Sequence, residues 1–302
     1  MDPWVIHMKK GRFERAWRIS DAVLRERAGT SSRHLPPHLQ YFWDGTPLAG
    51  KRVLGRCLHG LGDTIQFIRY MPMVRRVAAH TTVWAQPALL NLLQTARGID
   101  RLLPLQDDPP PVDRDLDVEI MELPHVFRTT LASTPAQVPY LHVLPAAFPR
   151  DHRLRVGLVW QSGDWDERRS VPFHLIGPLT SLPSVNWYIF QHGPGLNDMR
   201  ETIGHVIESD DLLDVARAMG AMDLMISVDT MAAHLAGALG IRTWTLLQHD
   251  PDWRWMEGID HSPWYPTMRL FRQAQGGQWA PVLDRVRAAL AHLSTLFREP
   301  AN

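Results

Sequence analysis

Apolar residues recur with a helical period at Phe13, Ala16, Trp17, Ile19, Ala22, Val23 and Leu24, which predicts a helix over 13–27. Gly11 precedes the run and Gly29 follows it. The period disappears over 30–50, where Ser31, Ser32, Pro36, Pro37, Gly45, Pro47 and Gly50 predict loop. Short apolar runs then alternate with helical patterns. Strands are predicted at 52–58, 81–85, 99–103 and 117–121. Helices are predicted at 63–79, with Ile65, Phe67, Ile68, Met71 and Val74 on one side, at 87–96 and at 124–131. Pro72 falls inside the first of these and predicts a kink, while Pro87 opens the second. This alternation implies a mainly parallel sheet.

Pro135, Pro139, Pro145 and Pro149 mark 132–152 as a linker. A second alternating half follows, with strands at 155–160, 187–191, 223–228 and 243–247. Its helices are predicted at 173–182, 212–219, 230–239 and 281–297. Two successive α/β halves predict a bilobed chain. The expected division is an N-terminal helical segment over 1–50, a first lobe over 51–150 and a second over 151–302. Ligands of such sheets bind at the carboxyl ends of the strands, so the cleft between lobes is the expected site.

Composition narrows the function. Lys plus Arg and Asp plus Glu both number 32, a formal net charge of zero that argues against a nucleic-acid coat or a polybasic membrane binder. With 45% apolar and 21% charged residues, the chain can bury a core. A single cysteine, Cys57, excludes an internal disulfide framework and a multi-cysteine zinc site. The N-terminal stretch has an early acid and no apolar core, so no leader peptide is read there, and no apolar run approaches membrane-spanning length. The expectation is a soluble, cytoplasmic protein.

Three constellations could carry chemistry. Gly60-Leu61-Gly62-Asp63-Thr64 joins a strand to a helix. Its glycines let the backbone turn tightly, and Asp63 is equally a helix cap from spacing alone. Ser227-Val228-Asp229-Thr230 ends a strand and opens a helix, with His234 one turn on; helix N-terminal amides suit a phosphate. The bland alternative is an Asp cap and a surface histidine. Trp160-Gln161-Ser162-Gly163 leads through Asp164-Trp165-Asp166-Glu167 to Arg168-Arg169-Ser170. Arginine clamps phosphate oxygens, but read alone this loop is more often a solvated ion-paired one. Asp115-Leu116-Asp117 lies within a strand pattern and not at its end, which argues against a metal-binding Asp-x-Asp. His34 and His38 are separated by two prolines that forbid a shared helix face.

Together these stretches resemble the bacterial glycosyltransferases related to the ADP-heptose:lipopolysaccharide heptosyltransferases. The match lies in Gly60-Leu61-Gly62-Asp63-Thr64-Ile65-Gln66-Phe67, Val156 to Gln161, Arg169-Ser170-Val171-Pro172, and Ile226 to Ala238. Pro251-Asp252-Trp253-Arg254-Trp255, Ser262-Pro263-Trp264-Tyr265-Pro266 and Arg269 to Gln273 resemble the branch that follows tetratricopeptide repeats. Gly11 to Trp17 resembles a remnant of a last repeat. The likeness covers roughly 40–292.

The resemblance implies a GT-B fold, two Rossmann-like lobes with an interlobe cleft, here after a short N-terminal helical segment. It implies metal-independent, inverting transfer of a sugar, such as heptose, from a nucleotide-diphospho donor to an acceptor hydroxyl. Asp63 is then the general base, with the backbone of Gly60, Gly62 and Thr64 beside it. Gln161, Arg168 or Arg169, Ser170, Asp229, Thr230 and His234 are the donor-binding residues, and the nucleobase is expected near 210–215. No cofactor or metal is implied. The partners are a nucleotide sugar and a glycan, protein or small-molecule acceptor, with no nucleic acid. The chain departs from the branch in having Leu58-His59 where Glu-Gln is usual and Ser162-Gly163-Asp164 where Gly-Asn is usual. Competing readings are a non-catalytic binding module on the same scaffold and a nucleotide-sugar epimerase.

Overall fold

The computed structural model describes residues 2–32, 34–163, 165–199 and 203–298. The chain divides into two compact units. Unit 1 is Met1–His142 with Asp252–Glu257, and unit 2 is Val143–Pro251 with Gly258–Asn302.

Unit 1 opens with α1 (Pro3–Lys9) and α2 (Phe13–Glu26). The α1 helix is absent from the apolar pattern because it is only 7 residues long, under two turns. Asp2 caps it, accepting from the Trp4 amide at 2.8 Å, with Pro3 at the first helical position. The helix pair is part of unit 1 and not a separate segment. Phe13, Ala16 and Trp17 are buried, and the Trp17 indole donates to the Thr129 carbonyl at 2.6 Å.

Strand β1 (Arg52–Arg56) is followed by α3 (Leu61–Phe67), a 3-10 turn at Ile68–Tyr70 and α4 (Met71–Val77). The predicted single helix is thus broken just before Pro72, which sits in the first turn of α4 where its missing N–H costs nothing. β2 (His80–Ala85), α5 (Leu90–Leu93), β3 (Arg101–Pro104), β4 (Leu116–Glu119) and α6 (Leu123–Val126) complete the unit. The four strands are parallel in the order β3-β2-β1-β4. Val53, Leu54, Val83 and Val118 of the sheet are buried, as are Ile65, Phe67, Ile68 and Met71 of the segment that follows β1.

The proline-rich stretch is divided between the units. Its first part is fastened to unit 1: Arg69 donates to the Pro135 carbonyl (3.3 Å) and the Tyr140 hydroxyl (2.8 Å). The division falls at 142/143, short of the expected 150/151. Asp115 and Asp117 are structural: Asp115 pairs with Arg52, and Asp117 with Arg56 and Arg114.

Unit 2 contains β5 (Leu154–Val159), α7 (Gly177–Thr180), β6 (Val185–Ile189), β7 (His205–Val206), α8 (Leu212–Gly220), β8 (Leu224–Val228), α9 (Met231–Ala238), β9 (Thr243–Leu247), β10 (Met268–Arg272) and α10 (Ala280–Arg298). All six strands are parallel, in the order β10-β9-β8-β5-β6-β7. The sequence pattern misses both edge strands. β7 is two residues long, and β10 carries exposed Arg269 among buried neighbours. Val282, Val286 and Leu290 form a buried stripe at four-residue spacing that seats α10 on the unit's core.

Renumbered from its first strand, unit 2 has the order 3-2-1-4-5-6, and unit 1 has 3-2-1-4. The order reverses beside the first strand in each. The crevice of unit 1 therefore opens beyond the carboxyl ends of β1 and β4, and that of unit 2 beyond β5 and β8.

Candidate functional site

In unit 1 the crevice is built by the turn after β1. Gly60 is extended and caps α3, and Asp63 sits in the helix's first turn. Asp63 Oδ2 accepts the Gly60 amide at 3.0 Å, and its Oδ1 accepts Arg254 Nη2 at 2.8 Å. The carboxylate is therefore held at both oxygens, and each keeps a lone pair for a further donor. Thr64 is turned away. Its hydroxyl donates to Gln86 at 3.0 Å, and its amide is used by the Gly60 carbonyl at 3.2 Å. Of the backbone set expected beside Asp63, the Gly60 amide is spent on Asp63 itself and the Thr64 amide within the helix.

Two residues with no role assigned from the sequence complete this site. Arg254, distant in sequence, is brought to Asp63 by the Asp252–Glu257 segment. Glu119 ends β4 at the other side of the crevice and is 1% exposed. It accepts the Leu58 amide (3.3 Å) and the Met121 amide (2.6 Å), and His59 Nε2 stands 3.8 Å away. Burial pushes its carboxyl up to about 8, and the nearby Glu122 and Asp63 charges add to the rise against the two amide bonds. Burial also lowers His59, with Asp63 opposing that shift and His38 and Arg254 adding to it. In the sequence Glu119 falls inside the strand pattern read over 117–121, and nothing there set it apart. Cys57 is buried, and burial pushes its thiol up, so it is no nucleophile.

In unit 2, β5 leads to Trp160 and Gln161, whose amides both donate to Gln191 Oε1, at 3.1 and 2.9 Å. Gln161 Oε1 is buried with no protein donor. Ser162 and Ser170 close the following loop: the Ser162 amide donates to Ser170 Oγ at 3.1 Å. Ser170 is therefore a loop clasp. Asp164 lies outside the described residues.

The two arginines separate cleanly. Arg168 forks onto Asp166 (2.8 and 2.9 Å) with a side chain 76% exposed, as the bland reading of the loop has it. Arg169 turns the other way and donates Nη1 to the Asp229 carbonyl at 3.1 Å. That carbonyl directly follows β8, so Arg169 lies at the strand reversal. Asp166 is held down at about 2, chiefly by Arg168 and helped by Gln248 Nε2 at 2.9 Å.

Thr230, not Asp229, caps α9, and its hydroxyl makes no capping bond. His234 is 4% exposed, so it is no surface histidine. Its Nδ1 meets the Tyr265 hydroxyl at 2.9 Å. Tyr265 packs on Gly237, where a Cβ would overlap the phenol ring. The small residues of α9 thus admit the tyrosine that orients His234. Near the expected nucleobase site, Asp211 caps α8 through the Leu213 amide at 2.8 Å. Among the described residues, no group of three or more His, Cys, Asp or Glu could hold a metal ion.

No protein-family model matches the chain. It is 25% identical to Protein FlbA of Caulobacter vibrioides, the alignment covering 93% of this chain and 52% of FlbA. The chain thus spans about half the length of that relative. The glycosyl transferase family 9 structure from Veillonella parvula matches with a TM-score of 0.61 at 14% identity, over 83% of this chain and 99% of that one. The fold is that of the family 9 glycosyltransferases. The E. coli ADP-heptose LPS heptosyltransferase II shares it (TM-score 0.55, 12% identity, 80% of this chain and 99% of that one). So does TibC, described as a dodecameric iron-containing heptosyltransferase in complex with ADP-D-beta-D-heptose (TM-score 0.51, 11% identity, 78% and 66% coverage). On this fold Asp63 stands in the first turn after β1, and Arg169 bonds the carbonyl of Asp229 after β8. Among the described residues, no helix is long and apolar enough to cross a membrane.

Proposed function

We propose that the chain is a metal-independent, inverting glycosyltransferase that moves a sugar from a nucleotide-diphospho donor to an acceptor hydroxyl. One observation carries this reading. On a family 9 fold, the crevice of unit 1 holds a fixed carboxylate, and that of unit 2 holds an inward arginine beside a helix N-terminus.

Attack at an anomeric carbon needs a proton removed from the incoming hydroxyl and charge stabilised on the departing diphosphate. Asp63 is the base. The diphosphate lies on Arg169, the Thr230 hydroxyl and the first amides of α9, where the helix dipole favours negative charge. Arg169 spends Nη1 on the Asp229 carbonyl, which fixes its plane and leaves other donors of its fork for phosphate. The Tyr265 hydroxyl at Nδ1 holds the His234 ring in α9, one turn from Thr230, where the imidazole contacts the donor. Gln161 Oε1, buried without a protein donor, takes a hydroxyl of the donor. ADP-heptose is the first donor to test, since TibC, on the same fold, holds it.

Two measurements test this. A melting-temperature scan with nucleotides and nucleotide sugars should show stabilisation by the donor class; no shift with any of them leaves the scaffold reading. Asp63→Asn should lower transfer by about 10²- to 10⁴-fold. Losing the charge-assisted Arg254 contact costs roughly 1–2 kcal/mol of stability, so the variant stays folded. A folded Asp63→Asn enzyme with wild-type turnover would falsify the base assignment.

A further inference from the structure

After Pro251 the chain leaves unit 2, and the six residues Asp252–Glu257 belong to unit 1 before it returns at Gly258. Asp252 caps a 3-10 turn at Trp253–Trp255, accepting the Arg254 amide at 3.0 Å. The turn is fastened to the N-terminal helix. Trp253 packs edge-on against Trp4 of α1, ring centroids 5.4 Å apart, and near-parallel to Phe67 of α3 at 6.3 Å. On the far side of the turn, the Glu257 amide donates to the Lys9 carbonyl at the end of α1 (2.9 Å). Trp4 in turn rests on Trp17 of α2, with centroids 6.3 Å apart, and its indole donates to Ser20 at 3.0 Å.

Arg254 lies between these two attachments. Its side chain is 11% exposed, its guanidinium carbon is 5.3 Å from the centre of the Trp253 ring, and Nη2 reaches Asp63 Oδ1. The opposite oxygen of Asp63 is held by the Gly60 amide of its own helix. An aspartate in a helix's first turn keeps two side-chain torsions, and a single amide bond leaves one of its oxygens free to swing. The guanidinium removes that freedom, and an aromatic wall removes the guanidinium's own.

We infer that Arg254 is a positioning residue for Asp63 and that α1 sets it in place, which makes the N-terminal helix pair a working part of the unit 1 site. This rests on the reading of Asp63 as the base. The second lone pair of each Asp63 oxygen remains for the acceptor hydroxyl, so the clamp aims the base without blocking it. Misaiming a catalytic group by about 1 Å costs on the order of 100-fold in rate, which sets the scale expected.

The test compares Arg254→Ala, Arg254→Lys, Trp4→Ala and Asp63→Asn in the full chain. Each is followed by ADP release from ADP-heptose and by amide hydrogen exchange of the peptide 58–67. Arg254→Ala should lower kcat by about 10- to 100-fold with the donor KM within about twofold, because the donor site is on unit 2. Arg254→Lys should recover part of the loss, and so should guanidinium ion added to Arg254→Ala, a rescue that a merely structural role would not show. Trp4→Ala should lower kcat in the same direction without responding to guanidinium. Both Arg254→Ala and Trp4→Ala should speed exchange at 58–67.

Wild-type exchange at 58–67 in Arg254→Ala overturns the inference whatever the turnover, as does an unchanged kcat. Unaltered exchange in Trp4→Ala removes α1 from it. Faster exchange in both, with full turnover in Asp63→Asn, refutes the base and leaves the clamp standing. If the wild type releases no ADP from ADP-heptose, the exchange comparison alone decides.

Discussion

Glu119→Gln isolates the cost of keeping a carboxyl buried behind the Asp63 turn. The folded carboxyl titrates near 8 and the unfolded one at 4.5, so between these values the folded chain holds a proton that the unfolded chain has released. Stability must therefore fall as pH rises through this window, level off above about 8, and owe nothing to the group below 4.5. From pH 5.5 to 8.5 the difference in protonation free energy integrates to about 2.3 pH units, which at ~1.4 kcal/mol each is about 3 kcal/mol. The amide cannot ionise, so the variant lacks this slope. Glutamine has one carbonyl oxygen where Glu119 uses two for the Leu58 and Met121 amides, so it sacrifices about 1 kcal/mol at every pH. Glu122 is also raised by burial, but its slope is present in both proteins and cancels in the comparison. Asp115 and Asp166, each held at about 2, change nothing between pH 5.5 and 8.5. Urea unfolding at both pH values measures the effect. The variant should match wild type to within about 0.5 kcal/mol at pH 5.5, where ionisation in the unfolded chain has already cost wild type about 1.4 kcal/mol, and should be more stable by roughly 3–4 kcal/mol at pH 8.5. Parallel pH slopes for the two proteins would refute the claim that Glu119 is neutral in the fold at pH 7.

Four further outcomes concern the donor site. Arg169→Ala should weaken nucleotide-diphosphate binding by about 10- to 100-fold in titration calorimetry, the weight of a charge-assisted contact. Arg168→Ala should leave that affinity unchanged, because its fork is engaged by Asp166 on the surface. Gly237→Ala should destabilise the chain by about 1–3 kcal/mol in denaturant, since the added methyl overlaps the Tyr265 ring, and should weaken donor binding through His234. Transfer activity should persist in excess EDTA; loss that is restored by a divalent cation would sink the metal-independent mechanism.

The sequence by itself determined the alternation of strands and helices, and with it two successive parallel α/β halves. Apolar runs such as Val156 to Val159 and Leu224 to Val228 are buried on both faces, and such strands declare themselves without reference to their neighbours. The turns carrying Asp63 and Thr230 were legible for the same reason: a strand, a polar turn and a helix are consecutive in the chain. Elements too short for a period escaped, namely α1 and β7. Which partner each polar side chain takes was decided only by the tertiary structure. Arg168 and Arg169 are adjacent and chemically identical, yet one forks onto Asp166 at the surface and the other reaches the end of β8. Tyr265 finds His234 31 residues away, and Arg254 finds Asp63 191 residues away within the same unit. Burial drives Glu119, an ordinary acid in the sequence, toward its neutral form. Local pattern encodes backbone period, because hydrophobic burial acts on each element as it forms. Side-chain pairing and desolvation depend on groups brought together by chain crossings, and no window of the sequence contains both members of such a pair.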